Sequence, residues 1–355
     1  MTASQAYVAF NLTDKVGPAT LSKLVATHGD VVSAWEAYPN KISRTGAPVD
    51  WEAEVESAER RGITIVTPAD AEYPERLRSV PGSPLVLYVK GSVSALSRPS
   101  VAIVGTRHPT EYGVSIANRL AADFVMSGMS VVSGLALGID AAAHTGAISA
   151  GGTTVGVLGG GIDRFYPEEN RALARDMIRS GGAVASQFPL TRPVDQQTFP
   201  IRNHVVAALA SAVVVVEAPS RSGALITAEI AVDLGRAVLA IPGRIDSPAS
   251  AGCLRLIRDG ATLARNADDV LEAISVLLPK KAAIEALKSS DLPKYSVEEA
   301  LIMMNVDENG TSLDDIVVKT KLPVEKVNSL AMALRMKGFV KFLPGNRIGP
   351  TNRPV

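Results

Sequence analysis

The sequence predicts an α/β protein built on a doubly wound parallel sheet. Three observations carry that prediction. From Ser100 to about Leu278, short apolar strands alternate with longer helix-forming segments. The strands are β-branched and nearly continuous in apolar residues, Val213 to Val216 most clearly, as in parallel strands covered on both faces. The turns at 105–113, 133–140, 159–167 and 217–227 are glycine-rich with polar residues interleaved, and they fall where such sheets bind ligands, beyond the C-terminal strand ends.

The elements follow in order. The chain to about Tyr38 reads as helical, with Val16-Gly17-Pro18 followed by Leu21, Leu24 and Val25 at helical spacing. This suits a helix-hairpin-helix, whose glycine turn lets helix N–H groups meet a phosphate; it equally suits a small bundle that only packs on its neighbour. A helix over Trp51–Arg61 and a strand over 62–66 come next, and a linker is expected near Ser92–Pro99. Strands are expected at 101–105, 131–134, 154–161, 183–186, 212–218 and 237–243. After a polar linker, three helices at 297–305, 312–320 and 323–338 lead into a hairpin turning at Pro344-Gly345-Asn346, which suggests a winged helix. Lys326, Arg335, Lys337, Lys341 and Arg347 would suit duplex DNA. Asp307, Glu308, Asp314, Asp315 and Glu325 offset them and tilt the reading toward a protein partner. The expected domains are 1–72 helical, 73–278 α/β, 279–294 linker and 295–355 winged helix.

Composition excludes several classes. The 355 residues have a formal net charge of zero, so any nucleic-acid site depends on local placement of charge. Between Gly91 and Leu278 stand fifteen Arg and no Lys, while all thirteen Lys lie outside that span. Arg offers a planar fork suited to phosphate, although most of these arginines are expected to be ordinary surface residues. The single cysteine, Cys253, rules out a disulfide framework and a cysteine zinc site. The longest uncharged apolar stretch, Val205–Val216, falls short of the roughly 20 residues that a membrane helix needs. The N-terminus lacks the pattern of a signal peptide, so a cytoplasmic location is expected.

The candidate site is an anion grip. Gly105-Thr106-Arg107 follows the first parallel strand: glycine for close backbone approach, a hydroxyl donor and a bidentate cation. Gly134 and Gly160 lie in the next two turns. Arg202 and Asn203 open one helix; Ser222 and Gly223 open the next, with Thr227 one turn on. Helix starts carry unpaired N–H groups. Phe199 is the best single stacking candidate, or else a core plug at the helix start. No dinucleotide fingerprint and no Walker A loop occurs, and no cofactor or metal is expected. Asp140 and His144 share a helix face and are expected to hydrogen-bond each other. Glu217 is expected to anchor a loop amide or face an arginine.

At this point the segments 101–113, 133–144, 156–170, 199–209, 213–243 and 256–261 resemble, in order, the DprA/Smf family of bacterial DNA-processing proteins. The resemblance implies an N-terminal SAM-like helical domain, an extended Rossmann-like domain and a C-terminal winged helix. It implies binding of single-stranded DNA, dimerisation through the Rossmann domain, loading of a RecA-type recombinase during natural transformation, and no enzymatic activity. Residues 105–107, 199–203 and 222–227 match the family's phosphate-loop, FPxRN and SGxLxT motifs. Leu137, Gln187 and His204 depart from it, the last making a cation pH-dependent. The competing expectation is a nucleoside-phosphate N-glycosidase on a related fold, whose double-glycine motif the segment 218–229 lacks.

Overall fold

The computed structural model describes residues 1–277, 297–303, 305–307, 310–320, 322–343 and 345–351. The expected linker 279–294 lies outside them. The chain divides into two compact units, Met1–Pro279 and Lys280–Val355.

The first unit opens with four helices: α1 Ala3–Leu12, α2 Pro18–His28, α3 Val31–Ala37 and α4 Trp51–Arg60. Thr2, Asp30 and Asp50 cap α1, α3 and α4 with side-chain oxygens. Then come β1 Thr64–Val66, α5 Glu75–Arg78, β2 Leu87–Gly91, β3 Ser100–Val104, α6 Glu111–Met126, β4 Ser130–Ser133, α7 Ile139–Ser149 and β5 Thr154–Val157. The unit ends with α8 Arg171–Arg179, β6 Ala183–Ser186, α9 Thr198–Leu209, β7 Ala212–Val215, α10 Gly223–Asp233, β8 Ala237–Ala240, α11 Ala251–Arg258, β9 Thr262–Leu263 and α12 Ala267–Leu277.

Among the described residues these strands form one nine-stranded sheet, ordered β1-β2-β6-β5-β4-β3-β7-β8-β9. The run from β6 to β9 is parallel, and β1 and β2 add an antiparallel edge. This is the predicted Rossmann-like sheet. From β3 the chain builds outward to β6, then returns to place β7 against the other side of β3. That reversal opens a crevice at the C-terminal ends of β3 and β7, the usual ligand position in such sheets.

Local sequence explains the elements. Every residue of β3, β4, β5, β6 and β7 is buried, as a strand covered on both faces requires. In α6, Ile116, Ala117, Leu120, Ala121 and Phe124 recur on one face and enter the core, while Thr110 caps the start by accepting from the Gly113 N–H at 3.2 Å. Two apolar layers cover the sheet, one with α9 and α10, the other with α6, α7 and α12.

Two findings refine the expected segmentation. The stretch Ser92–Pro99 is not a linker: Val93–Ser97 forms a 3-10 turn whose Ala95 and Leu96 are buried against the sheet, because an apolar pair there has a core to enter. The four N-terminal helices share a core with Tyr88, Leu135, Leu158 and Leu190. They also grip the loops before α8 and α9. Asn11 Nδ2 donates to the Gln187 carbonyl at 3.3 Å, the Leu190 N–H donates to Glu54 Oε1 at 2.8 Å, and Arg61 pairs with Asp163 at 2.8 Å.

The second unit holds α13 Val297–Met303, β10 Thr311–Ser312, α14 Leu313–Thr320, α15 Val324–Met336, β11 Val340–Leu343 and β12 Arg347–Pro350. Its strands form a small antiparallel sheet, β10-β12-β11. No helix among the described residues is long and apolar enough to cross a membrane.

α6 and α7 pack backbone to backbone: a Cβ on Gly146 would lie 2.3 Å from the Asn118 carbonyl oxygen. Gly146→Ala is therefore expected to destabilise the protein by about 1–3 kcal/mol through overpacking. An exposed helical glycine would instead gain about 1 kcal/mol from the same change. Urea unfolding reads the sign; an unchanged or raised midpoint would contradict the close packing.

Candidate nucleic-acid interface

A cavity of about 360 Å³ occupies the crevice where the strand order reverses. All the expected site residues line it except Gly160. Gly160 is buried elsewhere: its carbonyl accepts from Ser186 Oγ at 2.8 Å, and a Cβ there would lie 2.8 Å from Val194 Cγ1. Its glycine identity serves the chain's own packing.

Arg202 organises the back of the cavity. It is only 6% exposed. Its Nη1 donates to the Gly134 carbonyl and, at 2.5 Å, to the Val157 carbonyl, while Nε donates to Asn203 Oδ1 at 3.1 Å. The guanidinium thus ties α9 to the ends of β4 and β5. A Cβ on Gly134 would lie 2.7 Å from Arg202 Cζ, so Gly134 makes room for an arginine rather than for a ligand. The Gly134 N–H is also engaged, donating to Asp140 Oδ2 at 3.0 Å. Burial pulls Arg202 down to about 10, while the Asp140 carboxylate works the other way and Arg107 adds to the fall. The group stays charged at neutral pH, but much of its hydrogen-bonding capacity is turned inward.

The outward-facing cation is Arg107. It is exposed, has no ion pair among the described residues, and its guanidinium stands 5.1 Å from the Phe199 ring centroid. The Arg202 guanidinium lies 5.9 Å from the same ring. Phe199 is half-buried and rests on Gly159, where a Cβ would come within 2.9 Å of Cδ1. Phe199 is thus a platform that spaces two arginines. Gly105 is required by its own neighbours as well, since a Cβ would meet Ile139 Cγ1 at 2.5 Å. Thr106 Oγ1 accepts from the His108 N–H at 3.2 Å.

Two helix starts face this rim, and they differ. At α6, both Glu217 carboxylate oxygens are engaged by Thr110: Oε2 accepts from its N–H at 2.9 Å and Oε1 from its hydroxyl at 2.6 Å. Glu217 anchors a loop amide, as expected, and supplies the negative charge that this helix start attracts. At α10, Ser222 accepts from the Ala224 N–H at 3.3 Å, the first turn holds no acidic residue, and open space lies where a Gly223 Cβ would be. That start remains available to an outside anion. Asn203 Nδ2 and Thr227 Oγ1 each donate to the Gly223 carbonyl at 3.4 Å, bracing the start of α10. Arg221, absent from the residues expected at the site, lines the cavity with no ion pair among the described residues. Its place directly before Ser222-Gly223 was the available signal. The cavity lining therefore sets three guanidinium groups against one carboxylate, Asp140.

Other expectations need correction. Asp140 and His144 do not bond each other. Asp140 Oδ2 accepts from the Gly134 and Ala136 amides, whereas His144 Nδ1 meets Thr154 Oγ1 at 2.7 Å. The Thr154 hydroxyl donates to the Val131 carbonyl at 2.8 Å, so His144 Nδ1 carries the proton and Nε2 is left bare and buried. His204 supplies no cation to the cavity. It packs on Gly82, and burial holds its imidazole below the usual range against the opposing Pro81 carbonyl. Gln187 braces α9, its Nε2 donating to the Ile201 carbonyl at 3.0 Å.

His144 gives a pH signature. Burial, with Arg202 nearby, pulls its imidazole from 6.5 down to about 3. The unfolded chain takes up this proton below its ordinary value and the folded chain does not. Stability is then complete above that value and falls as pH drops toward 3. Between pH 7 and 5 this group alone removes about 2 kcal/mol. Urea titrations at both pH values should show that loss, and His144→Gln should remove most of it; an identical pH dependence in both proteins would contradict the assignment.

Comparison with known proteins identifies the family. The family model for DNA recombination-mediator protein A matches residues 64–275. Protein Smf of Synechocystis sp. is 32% identical over 97% of this chain and 98% of its own length. The X-ray structure of DNA processing protein A from Streptococcus pneumoniae aligns with a TM-score of 0.63 at 30% identity, covering 77% of this chain and 98% of that one. The Helicobacter pylori protein of that name, solved to explain its single-stranded DNA binding mode, aligns with a TM-score of 0.53 at 26% identity, covering 61% of this chain and 95% of that one. Matched across its sheet by the family model and along nearly its whole length by a relative, this chain belongs to the DNA recombination-mediator protein A family.

Proposed function

We propose that the chain binds single-stranded DNA in this cavity and mediates recombination without catalysis. In this reading it is a cytoplasmic homodimer joined through its Rossmann domain. It protects incoming strands during natural transformation and loads a RecA-type recombinase onto them, with no cofactor. The observation that carries the reading is the combination of two exposed guanidinium groups without an ion pair among the described residues, Arg107 and Arg221, with an open helix start at Gly223. Fork-shaped donors and bare amides suit a phosphodiester. The Helicobacter pylori relative, described by its single-stranded DNA binding mode, supports the same choice of ligand.

The glycosidase alternative is disfavoured. Asp140 is the one carboxylate among the described residues lining the cavity, and its Oδ2 accepts from two amides. The tail, read as a winged helix, is proposed to meet a protein rather than duplex DNA. Two of its lysines are already paired, Lys326 with Glu298 and Lys337 with Glu299, and Arg335 stands 5.3 Å from the Phe342 ring centroid.

Strand binding across a salt series tests the main reading. Arg202 is a poor probe because removing it disturbs the loops it ties together. The double replacement Arg107→Ala plus Arg221→Ala touches exposed groups only. It is expected to weaken binding and to flatten the slope of log affinity against log salt by roughly 0.7 for each phosphate that is no longer neutralised. An unchanged slope would contradict the reading. Recombinase loading is read separately, as faster filament assembly on strands coated with single-strand-binding protein.

A further inference from the structure

A shallow groove adjoins the phosphate cavity and shares Arg107, Phe199 and Arg202 with it. Its remaining lining includes Tyr166, Leu137 and Gly159. The two sides of the Arg107–Phe199 pair therefore differ in chemistry. Beyond the shared arginines, one side adds Arg221 and an open helix start. The other holds an aromatic ring and an aliphatic side chain. A nucleotide has the same division, a charged phosphate and a flat apolar base.

The sequence offered Phe199 as the stacking residue, but two guanidinium groups lie within 6 Å of its ring centroid, at 5.1 and 5.9 Å, and it is half-buried. Tyr166 is the better placed ring. It is 46% exposed and has no hydrogen-bond, ring or cation partner among the described residues. Its neighbour Phe165 is already engaged by Arg171, 5.0 Å away, and Arg171 is paired with Glu168 at 2.5 Å. Leu137 brings no charge to the groove.

Resting on the strand-binding reading, we propose that Tyr166, with Leu137 beside it, forms a stacking subsite for one base of the strand whose phosphates Arg107 and Arg221 hold. Such a subsite accepts any base, because every base has a π-face. It adds affinity without adding salt dependence.

The test compares an oligothymidylate with an abasic strand of equal length, which keeps the phosphates and lacks the bases. Full-length wild type, Tyr166→Ala and Tyr166→Phe are titrated with both. Tyr166→Ala is expected to lose roughly ten-fold in affinity for the oligothymidylate and nothing for the abasic strand. Tyr166→Phe, which keeps the ring, should behave as wild type. Equal losses on both strands, or no loss on either, would overturn the subsite. A wild type that holds both strands equally well removes the subsite alone. A wild type that holds neither removes the strand-binding reading, and the subsite with it.

Discussion

A cation sealed inside the protein holds the site together. Arg202 carries its charge into a place that water hardly reaches, and burial alone would make that costly. The cost is offset by carbonyls from two strand ends, by the Asn203 amide oxygen and by the field of Asp140. Three pieces of backbone that are far apart in sequence then share one guanidinium. The Phe199 ring, on the same helix, is fixed relative to those strand ends, and Arg107 is in turn spaced by that ring. The exposed part of the site inherits its geometry from the buried part.

This arrangement separates two tasks that the same residue type performs. Buried arginine fixes position, because its planar fork satisfies several carbonyls at once. Exposed arginine remains free to meet a ligand. The helix starts divide in the same way. Glu217 neutralises the start of α6 from within, while α10 is left without an internal acid. An anion entering the cavity therefore meets one open helix start together with Arg107 and Arg221 in the same lining.

The sheet was readable because its strands are short β-branched runs that a parallel, doubly covered sheet demands, as at Val213–Val216. The positions of Arg107, Ser222 and Gly223 at a strand end and a helix start were readable for the same reason, whereas Arg202 and Asn203, expected to open α9, lie a turn inside it because the helix already starts at Thr198. Their depth was not. Nothing in the spacing tells Arg202, which faces inward, from Arg107, which faces outward; that depends on which loop packs behind each. What approaches the glycines at 134 and 160 was not readable for a related reason. A missing Cβ shows that something approaches closely, but sequence does not say whether the visitor is a ligand, an arginine or a valine. The Asp140–His144 pairing failed because each side chain found a nearer partner from a different strand or loop.

The most direct test is hydrogen exchange at the arginine side chains of the free protein, followed by nitrogen–proton NMR. The account requires the Nη1 protons of Arg202 to exchange slowly, locked on the Gly134 and Val157 carbonyls, while those of Arg107 exchange at the rate of a solvated guanidinium. Upon addition of a single strand, the Arg107 signals should shift and those of Arg202 should stay nearly in place. Rapid exchange at Arg202 in the free protein, or a large shift there with none at Arg107, would contradict it.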